Sequence, residues 1–157
     1  MPRIGVTGHV RLAEGTAELV YAELTATLTA RRDGPLQGVT CLADGADQLF
    51  ARAVAALGGT FEVVLPAADY RSVVADRKAF DDLLGKATKV DYLPYAESGP
   101  EAYFAASEEL LRRVDALVAV WDGAPSDVVS STANVVRAAR ARSLPVTVIW
   151  PAGAQRA

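Results

Sequence analysis

The chain has 157 residues, of which 51% are hydrophobic and 22% charged, enough apolar material for one domain over residues 1–157 with a sizeable core. Its net charge is -3 and its isoelectric point lies near 5.2. The basic residues form only short pairs, Arg31-Arg32 and Arg112-Arg113, and a helical group at Arg137, Arg140 and Arg142. This leaves no general attraction to nucleic acid, which is not an expected partner.

In chain order, residues 4–6 have strand chemistry and stop at the turn Thr7-Gly8-His9. Thr16 is placed to cap a helix reaching about Arg31, with Val20, Leu24 and Leu28 on one face, ended by Asp33-Gly34-Pro35. Residues 38–42 read as a second strand, followed by Ala43-Asp44-Gly45-Ala46-Asp47 and a helix. That helix turns Ala46, Leu49, Phe50, Ala53, Val54 and Leu57 inward and stops at Gly58-Gly59. A third strand, residues 61–65, is almost wholly apolar, as befits a strand covered on both faces.

Residues 68–84 read as helix in two pieces, and 89–93 as an edge strand. Ser98-Gly99-Pro100 opens a helix to about Val114, with proline near the first position, where a missing N–H costs little. Residues 116–121 give the strongest strand signal, ending at Asp122-Gly123 with Trp121 expected in the core. Ser131 or Thr132 caps the last helix, and residues 145–150 form the last strand.

This alternation implies right-handed crossovers and a doubly wound, mostly parallel α/β sheet with helices on both faces, a Rossmann-like arrangement. The segments after each strand then share one rim, where ligands of such sheets bind. Glycines and helix amino termini gathered there suit a phosphate- or ribose-bearing ligand.

Three motifs carry a family resemblance. The runs from Gly5 to His9, from Ala43 to Asp47 and from Val118 to Gly123, the last followed by a Ser/Thr turn and a helix, resemble the SLOG superfamily of Rossmann-like domains. That superfamily includes LOG phosphoribohydrolases and DNA-processing Smf proteins. The resemblance implies a nucleotide or nucleotide-derived ligand at the strand ends and a homodimer. The catalytic LOG branch carries a Pro-Gly-Gly-x-Gly-Thr-x-x-Glu motif at its last helix. Here Thr132 is retained, Ser130-Ser131 replaces the glycine pair, and the glutamate position is apolar.

The candidate ligand-binding residues are Thr7, Gly8, His9, Asp44, Gly45, Asp47, Asp122, Gly123, Ser131 and Thr132. His9 suits phosphate contact or proton transfer, and otherwise a bond within its turn. Asp44 and Asp47 suit ribose hydroxyls, or simply the first turn of a helix, with Asp44 the stronger candidate. Asp122 and Gly123 otherwise just make a turn, and Ser131 and Thr132 otherwise just cap. One histidine and the lone Cys41, read as a small hydrophobe, make no usual zinc site and no disulfide. Neither a G-x-G-x-x-G fingerprint nor a Walker lysine motif occurs, so no metal or cofactor is expected. No run approaches the ~20 apolar residues of a membrane span, Met1-Pro2-Arg3 does not resemble a signal peptide, and a cytoplasmic setting is expected.

Two functions follow. The first is a module that senses or carries a nucleotide derivative. The second is a nucleotide N-glycosidase in which Asp44 or Asp122 orients water or steadies an oxocarbenium-like transition state. The missing glutamate favours the first.

Overall fold

The structure, a computed structural model, describes residues 2–31 and 34–157. Arg32 and Asp33, predicted to lie at the end of the first helix, fall outside the described residues. The elements run β1 (Arg3–Gly8), α1 (Thr16–Ala30), β2 (Gln37–Thr40), α2 (Ala46–Ala56), β3 (Thr60–Leu65), α3 (Tyr70–Val73) and α4 (Arg77–Leu84). They continue with β4 (Lys89–Tyr92), α5 (Pro100–Arg113), β5 (Ala116–Val120), α6 (Thr132–Ala141) and β6 (Val146–Ile149).

The six strands form one sheet in the order β4-β3-β2-β1-β5-β6, and every pairing is parallel. From β1 the sheet grows strand by strand to β4 at one edge. The crossover through α5 then returns the chain to the far side of β1, where β5 pairs and β6 makes the other edge. The strand order therefore reverses between β1 and β5, and loops leaving those two strands diverge to open a crevice.

Each strand's alternation feeds two cores. Val63 and Leu65 pack with Val20, Leu24 and Leu28 of α1, Phe50 and Val54 of α2, and Phe80 and Leu83 of α4. Val64, between them in sequence, joins Val39 and Leu117 under Leu110 and Leu111 of α5 and Val135 and Ala139 of α6. Neighbouring residues of a strand point to opposite faces, so a strand covered twice must be apolar throughout. Each fully buried leucine or phenylalanine is worth roughly 1.5–3 kcal/mol.

Three local expectations are corrected. Gly15, in the left-handed region at φ 83°, occupies the N-cap of α1 without a side-chain cap. Thr16 is instead the first helical residue, and its hydroxyl accepts the Gln155 N–H at 3.0 Å. Trp121 lies beyond β5 and is only half-buried, its indole N–H donating to the Ala124 carbonyl at 3.0 Å. Cys41 follows β2 instead of sitting within it. Among the described residues, no helix is long and apolar enough to cross a membrane.

Candidate functional site

Two hollows open at the carboxyl ends of the strands. The first, of about 340 Å³, is floored by Val6, Thr7 and Gly8 of β1 with Cys41, Asp44 and Asp47, and walled by Pro66, Tyr70, Val73, Val74 and Tyr103. The second, of about 420 Å³, lies between Gly8, His9 and Arg11 on one side and Ser130, Ser131, Thr132 and Ala133 on the other, with Trp121 and Arg156 at its border. Gly8, Val10, Ser130 and Thr132 line both, so the two form adjoining chambers of one crevice.

The loops that build this crevice are locked by close backbone contacts. The His9 N–H donates to the Val120 carbonyl at 3.1 Å, and the Ala46 N–H donates to the His9 carbonyl at 3.2 Å. A Cβ on Gly8 would come within 2.5 Å of the Ala46 Cβ and 2.8 Å of the Val120 Cβ. Gly8 therefore lets α2 and β5 approach β1, which is a packing role and not an opening for ligand. Gly45 is doubly constrained: its φ is 76°, and a Cβ would lie 2.5 Å from the Val10 carbonyl oxygen.

The four carboxyl and imidazole candidates have distinct surroundings. Asp47, in the first turn of α2, is buried in the first hollow, 7% exposed. Burial pushes its pKa up to about 7, against the opposing pull of the Ala43 and Cys41 backbone N–H groups. Asp44 lines the same hollow, but its oxygens accept the N–H groups of Ala75 at 2.8 Å and Asp76 at 3.2 Å. It thus pins the segment between α3 and α4 beside the first hollow.

His9 is buried, and its Nε2 accepts the Asp122 N–H at 3.1 Å. Burial first, then the nearby Arg156, lowers its pKa, and the Asp122 carboxylate 3.3 Å away only partly offsets them. A neutral ring with Nε2 already accepting is a poor proton donor at that atom. Asp122 is held ionised, chiefly by the Ala124 N–H that it accepts at 2.9 Å, and its other oxygen lies 3.7 Å from Arg156.

At α6 the Ser131 hydroxyl caps the helix by accepting the Asn134 N–H at 3.2 Å. Among the described residues, the Thr132 and Ala133 N–H groups have no protein acceptor, and both residues border the second hollow. Arg11 and Arg156 add two cations there. Both are placed by a short antiparallel bridge, in which Ala13 N–H donates to Gln155 at 2.8 Å and Ala157 N–H donates to Arg11 at 3.1 Å.

Of the residues predicted from sequence, the first hollow gathers Thr7, Gly8, Asp44, Asp47 and Thr132, and the second gathers Gly8, His9, Ser131 and Thr132. Asp122 and Gly45 line neither and act by supporting neighbours. Gly123, at φ 85°, sits in a third hollow with Trp121, Arg137 and Arg140. Sequence reasoning missed Arg11 and Arg156 as lining residues, and it offered Tyr70 and Tyr103 as base-stacking faces only together with Tyr92 and Tyr95, with no spacing to single them out. Nothing in the local pattern at positions 11 and 156 signals that the bridge brings them together.

No family model matches the chain, and no curated protein matches it. Solved structures do. DNA processing protein A from Streptococcus pneumoniae aligns over 98% of this chain with a TM-score of 0.69 at 16% identity, and this chain spans 52% of that protein. DNA processing protein A from Helicobacter pylori, whose structure concerns single-stranded DNA binding, aligns over 99% with a TM-score of 0.70 at 11% identity, covering 68% of its length. TM1055 aligns over 93% with a TM-score of 0.61 at 20% identity, covering 72% of its length. These likenesses show the fold alone: a Rossmann-like α/β domain on one parallel sheet.

Proposed function

We propose that this chain is a binding module for a nucleotide or nucleotide-derived ligand, with its phosphate in the second hollow and its base in the first. One observation carries this reading: two chambers of opposite character meet at Gly8 and Thr132. The second offers a capped helix start with two free amides and two arginines, the chemistry that holds a phosphate. The first sets tyrosine, valine and proline walls over a floor that carries Thr7, Asp44 and Asp47, an apolar lining with polar groups to orient a flat organic ring. A ribose between them would pass the shared residues.

The hydrolytic alternative has less support. Its two catalytic candidates are committed to the protein itself, Asp44 to the Ala75 and Asp76 amides and Asp122 to Ala124, His9 and Arg156.

Thermal unfolding in the presence of AMP, GMP, IMP, CMP and UMP tests the proposal. A binder present at a hundredfold excess over its Kd adds about 2.7 kcal/mol of stability. Chromatography of the same mixtures for free base separates a binder from an N-glycosidase, and a short single-stranded oligonucleotide serves as the nucleic-acid arm. Stabilisation by mononucleotides without base release is expected. Stabilisation by the oligonucleotide alone, or by nothing, overturns the reading.

A further inference from the structure

The third hollow, of about 250 Å³, is lined by Trp121, Gly123, Pro125, Val136, Arg137 and Arg140. It continues the crevice, because Trp121, Pro125 and Ala133 line both it and the second hollow. At Gly123 the chain turns with φ 85°, and nothing beyond its two neighbours lies within 4 Å of where a Cβ would stand, so the backbone there borders open space.

The positive charge along this stretch exceeds what one phosphate uses. Arg11 and Arg156 border the second hollow, Arg137 and Arg140 the third, and among the described residues no acidic side chain lines either. Asp122 offsets part of the Arg156 charge from outside. Arg137 donates to the neutral Asn134 amide oxygen, and among the described residues neither Arg137 nor Arg140 has an ion-pair partner. Helix α6 sets the spacing: its start at Thr132 and Ala133 borders the second hollow, and Arg140 stands two turns further along, about 10 Å at 1.5 Å per residue. A single phosphate at the helix start does not cover that length.

We propose that the ligand is a dinucleotide, two nucleosides joined through a pyrophosphate, with its phosphates in the second hollow and its second base in the third. The inference rests on the nucleotide reading above and names the class of nucleotide. Trp121 is half-buried and its indole N–H is spent on Ala124, so the ring face is what remains for contact. That face, the apolar Pro125 and Val136, and two planar guanidinium groups suit a flat ring flanked by negative charge. A mononucleotide reaching from the first hollow to the second leaves Arg137 and Arg140 unused.

Calorimetry on the whole chain with AMP, ADP and 5′–5′ linked diadenosine diphosphate tests this. Diadenosine diphosphate has the two phosphates of ADP, carries less negative charge and adds a second nucleoside, so an advantage over ADP reports the added nucleoside and not ion attraction. It should bind at least tenfold more tightly than ADP. The double variant Arg137→Ala, Arg140→Ala should remove that advantage and leave AMP affinity within twofold. Both side chains are exposed on α6, and an unchanged urea midpoint checks that the fold is kept. Diadenosine diphosphate binding no tighter than ADP, or an advantage that survives the double substitution, overturns the inference while leaving nucleotide binding intact. A short single-stranded oligonucleotide that binds more tightly than diadenosine diphosphate and needs the same two arginines overturns it in favour of nucleic acid. Failure of AMP, ADP and diadenosine diphosphate alike to bind overturns both readings.

Discussion

Asp47 and His9 titrate in opposite senses, and stability should record both. A carboxyl whose folded pKa is raised contributes stability that is complete below its unfolded value of 3.8 and is lost as pH climbs through about 7. Asp47→Asn removes that loss. It should raise stability at pH 8 by up to about 4 kcal/mol relative to the parent, with little gain at pH 4, read from urea denaturation midpoints. His9 behaves conversely: its lowered pKa makes stability full above 6.5 and eroded as pH falls through the folded value. His9→Phe should lose that acid sensitivity, yet cost about 1–3 kcal/mol at pH 8 because the Asp122 N–H is left without its acceptor. Sequence placed both residues at the rim but ranked Asp44 above Asp47. Two aspartates at one helix start look alike in a pattern. Only packing tells that Asp47 is buried against the Ala43 and Cys41 amides while Asp44 reaches across to those of Ala75 and Asp76.

The segments that start α2 and α6 bear the site's precision. Ser131→Ala deletes the cap of α6 and should cost about 1 kcal/mol. It should also weaken AMP binding, because the amides bordering the second hollow lose their fixed direction. Gly45→Ala should be worse, on the order of 3 kcal/mol by denaturant titration, since it combines a left-handed backbone with a collision against the Val10 carbonyl. These elements were largely legible. Doubly covered strands announce themselves as apolar runs, and the helices kept their 3.6-residue stripes, as with Val20, Leu24 and Leu28. The misses came where one residue chooses between roles. Thr16 has ideal cap chemistry, but Gly15 takes the left-handed turn and frees Thr16 to hold Gln155. Trp121 ends an apolar run, yet its indole bonds to Ala124 at the rim instead of entering the core.

Across the molecule, a net charge of -3 conceals a local concentration of the opposite sign. Arg11 and Arg156 are remote in sequence and meet only through folding, so composition, which argued against a nucleic-acid partner, gave no sign of the cations in the crevice. Replacing both arginines by alanine should weaken AMP binding at least tenfold and reduce its dependence on salt, measured by calorimetry at 50 and 500 mM sodium chloride. The bridge that joins them has a further consequence. One wall of the second hollow is stitched from stretches 139 residues or more apart, by three hydrogen bonds, with Leu12 the residue of the bridge that packs on the core. Such a seam should part before the sheet does, so amide exchange at Ala13 and Ala157 should outpace that of Val118 and Val63, and a bound anion should slow it. Occupancy and closure of that corner would then be one event, with the ligand acting as the clasp.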